Sequence, residues 1–205
     1  MKKSSKILHQ VWIQGEKNLP SDFQKNRELW RQVLPDGWEM ILWDEEMAKA
    51  EWEDYAEVTG LCSHHAMRAD LILARAQRDM GGLAMGTDVI PHNTEGLWAW
   101  CDNNSTLVIC NISGRSASNG VSWFASPNDP FISCVCRHQL RNKALLANRN
   151  VWKVTGPGAW YEALSRYQWD ICMATDRHAY TRLFSDKNIT NPKAWVDPGY
   201  AGSWH

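Results

Sequence analysis

The sequence contains no run of 18 or more apolar residues and no excess of either charge. Its 22 lysines and arginines nearly balance its 23 aspartates and glutamates, which gives a formal net charge of -1. Such a balance lacks the basic surface that attracts nucleic acid or an anionic membrane. The opening residues, MKKSSKILHQ, also lack the long apolar segment of a signal peptide. We therefore expect a cytoplasmic protein that binds no nucleic acid and has no transmembrane segment.

The sequence also lacks the short motifs of several enzyme classes. It has no GxSxG, HExxH or P-loop pattern. Cys134, Cys136 and His138 are close in sequence, but residues two apart on a helix point in nearly opposite directions, so we do not expect them to bind one zinc ion. Without a signal peptide, the six cysteines are expected to be free thiols.

Tryptophan is the unusually abundant residue, with 13 in a chain of 205. Part of this set must lie in the core, because aromatic side chains bury large areas. Flat aromatic faces also suit stacking on bases and sugars, and we expect roughly one or two of the tryptophans at a ligand.

Apolar patterning predicts strands that alternate with helices in a chain long enough for one domain. A buried strand is predicted at Lys6–Ile13, a helix between Leu19 and Gly37, and a second strand at Trp38–Trp43. A stripe of small apolar residues then predicts a long helix from Ser63 to Met80, which Gly81-Gly82 ends. This order predicts a single α/β domain over residues 1–205, with a mostly parallel sheet flanked by helices.

The second half of the chain continues this alternation. The patterns predict a strand at Leu83–Ile90, a short helix at Thr94–Trp100, a strand at Ser105–Ile112 and a polar loop at Ser113–Gly120. A further helix is predicted to begin around Pro130. The last predicted helix follows the glycine-rich turn of TGPGAW, and the tail is predicted to be loop-like.

Two acidic residues stand out by their positions. Asp88, in GGLAMGTDVIP, ends a predicted strand, which is where open α/β sheets bind ligands. Alternatively, Asp88 only caps a turn before Pro91. Asp70 lies at the edge of the apolar stripe of the long helix and faces either solvent or a cleft beside the sheet. Position alone leaves both alternatives open for each residue.

Six segments occur in an order that resembles a known family: HQVWIQG, GWEMILWDEE, RADLILARAQRDMGGLAMGTDVIP, SNGVSWFASPNDPF, VTGPGAW and a terminal GSW. They are similar to segments of the glycosyltransferases with a DXD-containing sugar-binding region. These include outer-chain mannosyltransferases, capsular polysaccharide transferases and, more distantly, the glucosylating bacterial toxins. The resemblance covers nearly the whole chain. It implies a GT-A fold, a UDP- or GDP-sugar donor, a glycan acceptor, Mn²⁺ or Mg²⁺, and retention of anomeric configuration.

The resemblance implies a donor-binding set within these segments. Trp12 in HQVW matches the aromatic residue that stacks on the base of the donor, and Asp70 matches the acid that contacts the donor sugar. Asp88 matches the last acid of DXD, which holds the metal on the diphosphate. His9 and Gly82, from the same matched segments, complete the implied set.

A second implied set concerns catalysis. Besides Asp88, it contains Asn119, which matches an asparagine near the reacting sugar. It also contains Ser203 and Trp204, which match a C-terminal pair that closes over the diphosphate and helps the leaving group depart. The chemistry is consistent, because a departing diphosphate develops negative charge and requires hydrogen-bond donors, a cation and the exclusion of water.

The sequence departs from the family pattern at several positions. Leu73 stands where the family has arginine, Ala84 where it has tyrosine, and Gly86 where it has the first DXD aspartate. Pro198 and Gly199 lie where a histidine often precedes the terminal pair. Because Mg²⁺ is commonly held by one or two carboxylates together with substrate phosphates, we expect Asp88 alone to hold the metal weakly.

Three other residues are candidates to compensate for the lost aspartate: His205, Asp197 and Arg75, the last as a positive charge on the phosphates. The departures also leave a second function open. In this alternative, the protein is a non-catalytic relic that binds a nucleotide sugar without turning it over.

Overall fold

The computed structural model describes residues 6–110, 117–141, 143–147, 150–167, 173–175, 182–183, 186–190 and 194–197. Within these ranges the helices are α1 (Ser21–Val33), α2 (Glu45–Glu51), α3 (Tyr55–Thr59), α4 (His65–Met80), α5 (Thr94–Asn103), α6 (Pro130–Arg141), α7 (Val151–Val154) and α8 (Pro157–Tyr167). The strands are β1 (Ile7–Val11), β2 (Glu39–Trp43), β3 (Gly82–Met85), β4 (Ile90–Pro91), β5 (Thr106–Cys110), β6 (Ala117–Phe124), β7 (Met173–Thr175), β8 (Arg182–Leu183), β9 (Asp186–Thr190) and β10 (Val196–Asp197).

Six of these strands form one sheet in the order β2-β1-β3-β6-β5-β7. β1 is parallel to β2 and β3, and β5 is parallel to β7. β6 is antiparallel to both of its neighbours, so the other five strands share one direction. The predicted α/β architecture with a mostly parallel sheet is therefore confirmed.

Successive residues of each strand point to opposite faces of the sheet, so apolar residues of the strands lie on both faces. Helices cover both faces. On one face, Leu8 and Leu83 pack with Trp30 of α1 and Leu97 of α5. On the other, Ile7 packs against α4, and Phe124 packs against α6 and α8. In the described ranges no helix is both long and apolar enough to cross a membrane.

The tryptophans contribute much of this core. Among the described residues, six tryptophans are buried: Trp30, Trp43, Trp52, Trp123, Trp160 and Trp195. Several pack directly on one another, for example Trp43 on Trp52, with ring centroids 5.0 Å apart. These contacts agree with the expectation that part of the tryptophan set is core.

Helix α4 has a wider buried surface than the predicted stripe. Met67, Asp70 and Leu71 are buried, whereas Ala69 and Leu73 of the predicted stripe are only partly covered. The helix lies between the sheet on one side and α3, α6 and α7 on the other. Because it is enclosed by neighbours, a single-stripe pattern does not describe it.

Two predicted boundaries are wrong. The strand predicted at Leu83–Ile90 ends at Met85, because the chain turns at Gly86, whose carbonyl accepts a hydrogen bond from Val89 N–H (3.2 Å). The loop predicted at Ser113–Gly120 contains the first residues of β6, which pair with β5. Both differences come from backbone hydrogen bonds, a turn that closes from Val89 to Gly86 and the pairing of β6 with β5, which the apolar pattern does not contain.

The junction of α4 and β3 requires two glycines. Gly81 and Gly82 have φ values of 71° and 95°, a region that favours glycine. A Cβ on Gly82 would also lie 2.6 Å from the carbonyl oxygen of Ile7 and 2.8 Å from His9 Nε2. Gly82 therefore allows β1 and β3 to approach at this point.

We expect Gly82→Ala to destabilise the fold more than Gly37→Ala. Both glycines have positive φ, at 95° and 78°, but a Cβ on Gly37 would meet no atom within 4 Å. The left-handed conformation costs about 1 kcal/mol in either variant, and the clash should add about 2 kcal/mol in Gly82→Ala. Urea unfolding of both variants measures the difference. Equal losses of stability would show that Ile7 and His9 yield without cost.

Candidate active site at the carboxyl edge of the sheet

The ends of three parallel strands define the candidate site. β1, β2 and β3 run in one direction, so Trp12, Asp44 and Gly86 follow them at the same edge of the sheet. α4 leads back into β3, so its N-terminal half lies toward this edge as well. After β1, the chain adds β2 on one side and β3 on the other, which is the switch point where open α/β sheets bind ligands.

Asp88 lies in a tight turn that β1 and α1 hold in place. Three carbonyls around it accept hydrogen bonds from side chains: Gly86 from Gln10 Nε2 (3.4 Å), Thr87 from Asn26 Nδ2 (3.4 Å) and Val89 from Trp30 Nε1 (2.8 Å). The donors belong to β1 and α1, on the side away from α4. Sequence analysis did not identify these donors, because their role depends on the helix packing.

The carboxylate of Asp88 lies over Gly86. A Cβ built on Gly86 would stand 2.6 Å from Asp88 Oδ1. The Gly86 backbone itself is ordinary, because its φ lies outside the positive range. Gly86 therefore leaves room for the carboxylate of Asp88 to fold back over the chain.

Asp70 is buried on α4, with only 7% of its surface exposed. Its Oδ2 accepts a hydrogen bond of 2.8 Å from Thr155 Oγ1, which is itself fully buried. The alternative in which Asp70 faces solvent is therefore wrong. The contact joins two of the quoted segments, RADLIL and VTGPGAW, which are 85 residues apart.

Trp12 lies where β1 passes into the following loop. Its indole N–H donates to the carbonyl of Asn18 (3.1 Å), and its ring meets the edge of Phe23 at 5.6 Å. The ring is partly exposed. Trp12 is thus fixed at the carboxyl edge, and base stacking on it stays a prediction.

His9 is fully buried between β1, β2 and the end of α4. The indole N–H of Trp43 donates to His9 Nδ1 (3.0 Å), so Nδ1 carries no proton. The proton is therefore on Nε2, which donates to the Gly81 carbonyl (2.9 Å). Burial lowers the pKa of His9 to about 4, against the opposing effect of the hydrogen bond to Gly81.

His9 and Gly82 pack against each other within the core. The imidazole lies where a Cβ on Gly82 would stand, and both residues are buried. In this arrangement both residues join β1, β3 and α4. Their role in donor binding stays a prediction.

Besides Asp88, Asn119 is the predicted catalytic residue that lies within the described part of the chain. Asn119 belongs to β6, and its neighbour Gly120 accepts a hydrogen bond from Gly86 N–H (3.1 Å), so its backbone lies beside the Asp88 turn. The pairing of β5 with β6 shifts register here, between Val108 and Ile109. Ser203 and Trp204 lie outside the described residues, as does His205.

The described C-terminal segment returns to the same place. In β10, Asp197 pairs with Ile90 of β4, and Val196 pairs with Pro91. Because the pairing is antiparallel, the direction of β10 leads toward Asp88. Only tertiary structure places Asp197 near this turn, since 109 positions separate it from Asp88 in sequence.

Arg75, the predicted substitute for metal charge, is engaged elsewhere. Its guanidinium pairs with Asp54 (2.9 Å) and Asp79 (3.0 Å) and lies over the ring of Trp52. Hydrogen bonds to Asp54 and Asp79 raise its pKa although burial opposes them.

A large polar groove lies beside the strand ends. It encloses about 1020 Å³ between the loop after β1, α1 and the start of α2, and Glu16, Lys17, Arg27, Arg31, Asp44 and Lys49 lie along it. Five acidic and four basic residues line it, which suits a ligand with polar and charged groups.

The acidic residues fit only a loosely held metal ion. In the described part of the chain, no group of three His, Cys, Asp or Glu side chains could enclose an ion. Asp88 supplies one carboxylate at the turn. One carboxylate fits Mg²⁺ or Mn²⁺ that takes its other ligands from substrate phosphates and water.

The fold is similar to that of solved glycosyltransferase structures. The PaToxG glycosyltransferase matches with a TM-score of 0.56 and 16% identity, covering 80% of this chain and 70% of that one. A glycosyltransferase involved in the glycosylation of the major capsid of PBCV-1 matches with a TM-score of 0.56 and 12% identity, covering 96% of this chain and 94% of that one. Mouse xyloside xylosyltransferase 1, in its apo form, matches with a TM-score of 0.53 and 9% identity, covering 96% of this chain and 98% of that one. No protein-family model and no curated protein sequence matches the chain.

The chain therefore has a GT-A-like glycosyltransferase fold, as the resemblance implied. At these identities the likeness concerns the fold.

We expect acid to destabilise the protein through His9. The unfolded imidazole gains a proton below its ordinary pKa of 6.5, whereas the folded one does so only near 4. Stability from neutral His9 is therefore present at pH 7 and lost as the pH falls toward 4, by about 3 kcal/mol in total. Denaturant unfolding at pH 7.0 and 4.5 should show a smaller loss in His9→Gln than in wild type. The exposed His92 provides the control: His92→Gln should lose as much stability as wild type, and equal losses in all three proteins would contradict the assignment.

Proposed function

We propose that the protein is a glycosyltransferase that transfers a sugar from a UDP- or GDP-sugar to a glycan acceptor with retention of anomeric configuration. One observation carries this proposal: Asp88 lies on an anchored turn at the switch point of a GT-A-like sheet. The carboxylate of Asp70, on α4, is held in place by a hydrogen bond from the hydroxyl of Thr155. In this proposal the site uses two acids from different elements, Asp70 of α4 and Asp88 of the turn after β3.

The two acids have different roles in this proposal. Asp70 is buried and oriented by a hydrogen bond, which suits a carboxylate that accepts hydrogen bonds from sugar hydroxyls. Asp88 lies at the strand end and faces the diphosphate. A bound Mg²⁺ or Mn²⁺ would neutralise charge on the departing diphosphate, with Asp88 as its protein ligand.

Exclusion of water is assigned to the C-terminal pair Ser203 and Trp204. The direction of β10 toward Asp88 supports this role, because six positions separate Asp197 from Ser203. A hydroxyl and an indole N–H would both donate hydrogen bonds to the leaving diphosphate. Asn119, whose backbone in β6 lies beside the turn, is assigned to the reacting sugar.

Donor hydrolysis tests the proposal directly. Wild-type protein is incubated with a panel of UDP- and GDP-sugars and Mn²⁺, and release of the nucleoside diphosphate is measured. We expect slow release from one donor, reduced about a hundredfold in Asp88→Asn because charge stabilisation of the leaving group is lost. Asp36→Asn, at an exposed turn, should keep wild-type release. Failure of every donor to bind or hydrolyse would refute the proposal.

The alternative function is a binding module that retains the nucleotide-sugar pocket without turnover. The observation that favours it is the Asp88 carboxylate lying over Gly86, where a second acid is missing. Gly86→Asp restores that acid, and Gly86→Ala is the matched control because it introduces the same Cβ. If wild type binds a donor and only Gly86→Asp hydrolyses it, the module is correct. If wild type already hydrolyses it and Asp88→Asn stops this, the module is excluded.

A further inference from the structure

Arg27 is a buried cation whose hydrogen bonds are incomplete. It lies on α1, only 4% exposed, and it lines the polar groove described above. Burial, together with the charge of Arg31, lowers its pKa, and Glu16 opposes this effect. A guanidinium keeps its charge even when buried, so each N–H without a partner is costly.

The open hydrogen-bonding positions of Arg27 lie along one edge of the guanidinium. Nη1 donates to Gln10 Oε1 at 2.7 Å. Nη2 lies 3.6 Å from Glu16 Oε1, which is an ion pair beyond hydrogen-bond distance. Nε is buried and has no hydrogen-bond partner among the described residues. Nε and Nη2 form the planar fork that arginine uses to hold two oxygens of one anion.

Glu16 fills this fork poorly. Its side chain is 64% exposed, and the same oxygen is also 3.5 Å from Nη2 of Arg31. Only the carboxylate of this pair is exposed, so Glu16 can move into solvent, and an incoming anion would take over the compensation of the buried Arg27 charge. Arg27 would then keep its bond to Gln10 and present two parallel donors.

The size of the groove indicates what the fork binds. At about 1020 Å³ it is far larger than a single inorganic anion, and it is lined by charged and polar residues. Four cations and five carboxylates line the groove, and one of the cations, Lys49, pairs with Glu45 at 3.4 Å. A phosphate group on a larger polar molecule fits both the fork and this volume.

We propose that the Nε–Nη2 edge of Arg27 is a phosphate-binding fork, which Glu16 occupies only in part until a phosphate-bearing ligand displaces it. Gln10 also donates to the carbonyl of Gly86, so the fork is one side chain away from the Asp88 turn. Identifying the phosphate with that of the sugar donor rests on the proposed function. The fork itself does not.

Titration with inorganic pyrophosphate, without metal or nucleotide, tests the fork. The Nε–H resonance of Arg27, assigned by its loss in Arg27→Lys, should shift on binding as a new hydrogen bond forms. Glu16→Gln should bind pyrophosphate several-fold more tightly, because the competing carboxylate is gone. Arg27→Lys keeps the charge but not the fork, and we expect about tenfold weaker binding. Lys25→Gln, on the exposed side of α1, should match wild type.

Two results would overturn the proposal. One is an Nε–H resonance that does not move at saturating pyrophosphate, which would mean that only water or Glu16 meets the fork. The other is unchanged affinity in Glu16→Gln. That variant changes an exposed residue, so its result does not depend on whether Arg27→Lys folds.

Two further titrations identify the source of the phosphate. UDP or GDP shifts the Arg27 resonance if the group belongs to a donor, and a sugar 6-phosphate shifts it if the group belongs to an acceptor. Either shift supports the fork. Donor hydrolysis that persists in Arg27→Lys, with pyrophosphate affinity unchanged, would leave glycosyl transfer intact while excluding the fork.

Discussion

The neutral imidazole of His9 is the contact on which the candidate site depends. It accepts a hydrogen bond from Trp43 at the end of β2 and donates one to Gly81 at the end of α4. It also lies against Gly82, the first residue of β3. One side chain thus joins β1, the end of β2 and the start of β3, three strands whose carboxyl ends form the candidate site. Protonation would remove the acceptor at Nδ1 and place a charge in the core, so the junction requires a neutral ring.

The turn that carries Asp88 is held by β1 and α1. Gln10, Asn26 and Trp30 each donate a hydrogen bond to a carbonyl of residues 86–89. The conformation of the turn that carries Asp88 is therefore set by contacts with β1 and α1 and not by the turn sequence alone. Gly86 gives the carboxylate room to lie over the backbone.

Two arginines on helices, Arg75 and Arg27, differ in their ion pairs. Arg75 is neutralised by two carboxylates and packs on Trp52, so it stabilises the fold. Arg27 has one close partner and one long ion pair, so it keeps donor capacity beside the groove. Both are arginines on helices, and composition does not separate them. The difference lies in which carboxylates the tertiary structure brings within reach.

The sequence by itself determined the alternation of strands and helices, the glycines that end α4 and the positions of Asp70 and Asp88. These follow from local chemistry: apolar periodicity, helix capping and residue type. Tertiary structure decided that β3 ends at Met85, that β6 runs antiparallel within the sheet, and that Thr155 and Asp197 return to the acidic residues. It also decided that His9 is core and that Arg27 has an open fork. Most of these features depend on contacts between residues tens of positions apart, and a single sequence does not record which distant groups will meet.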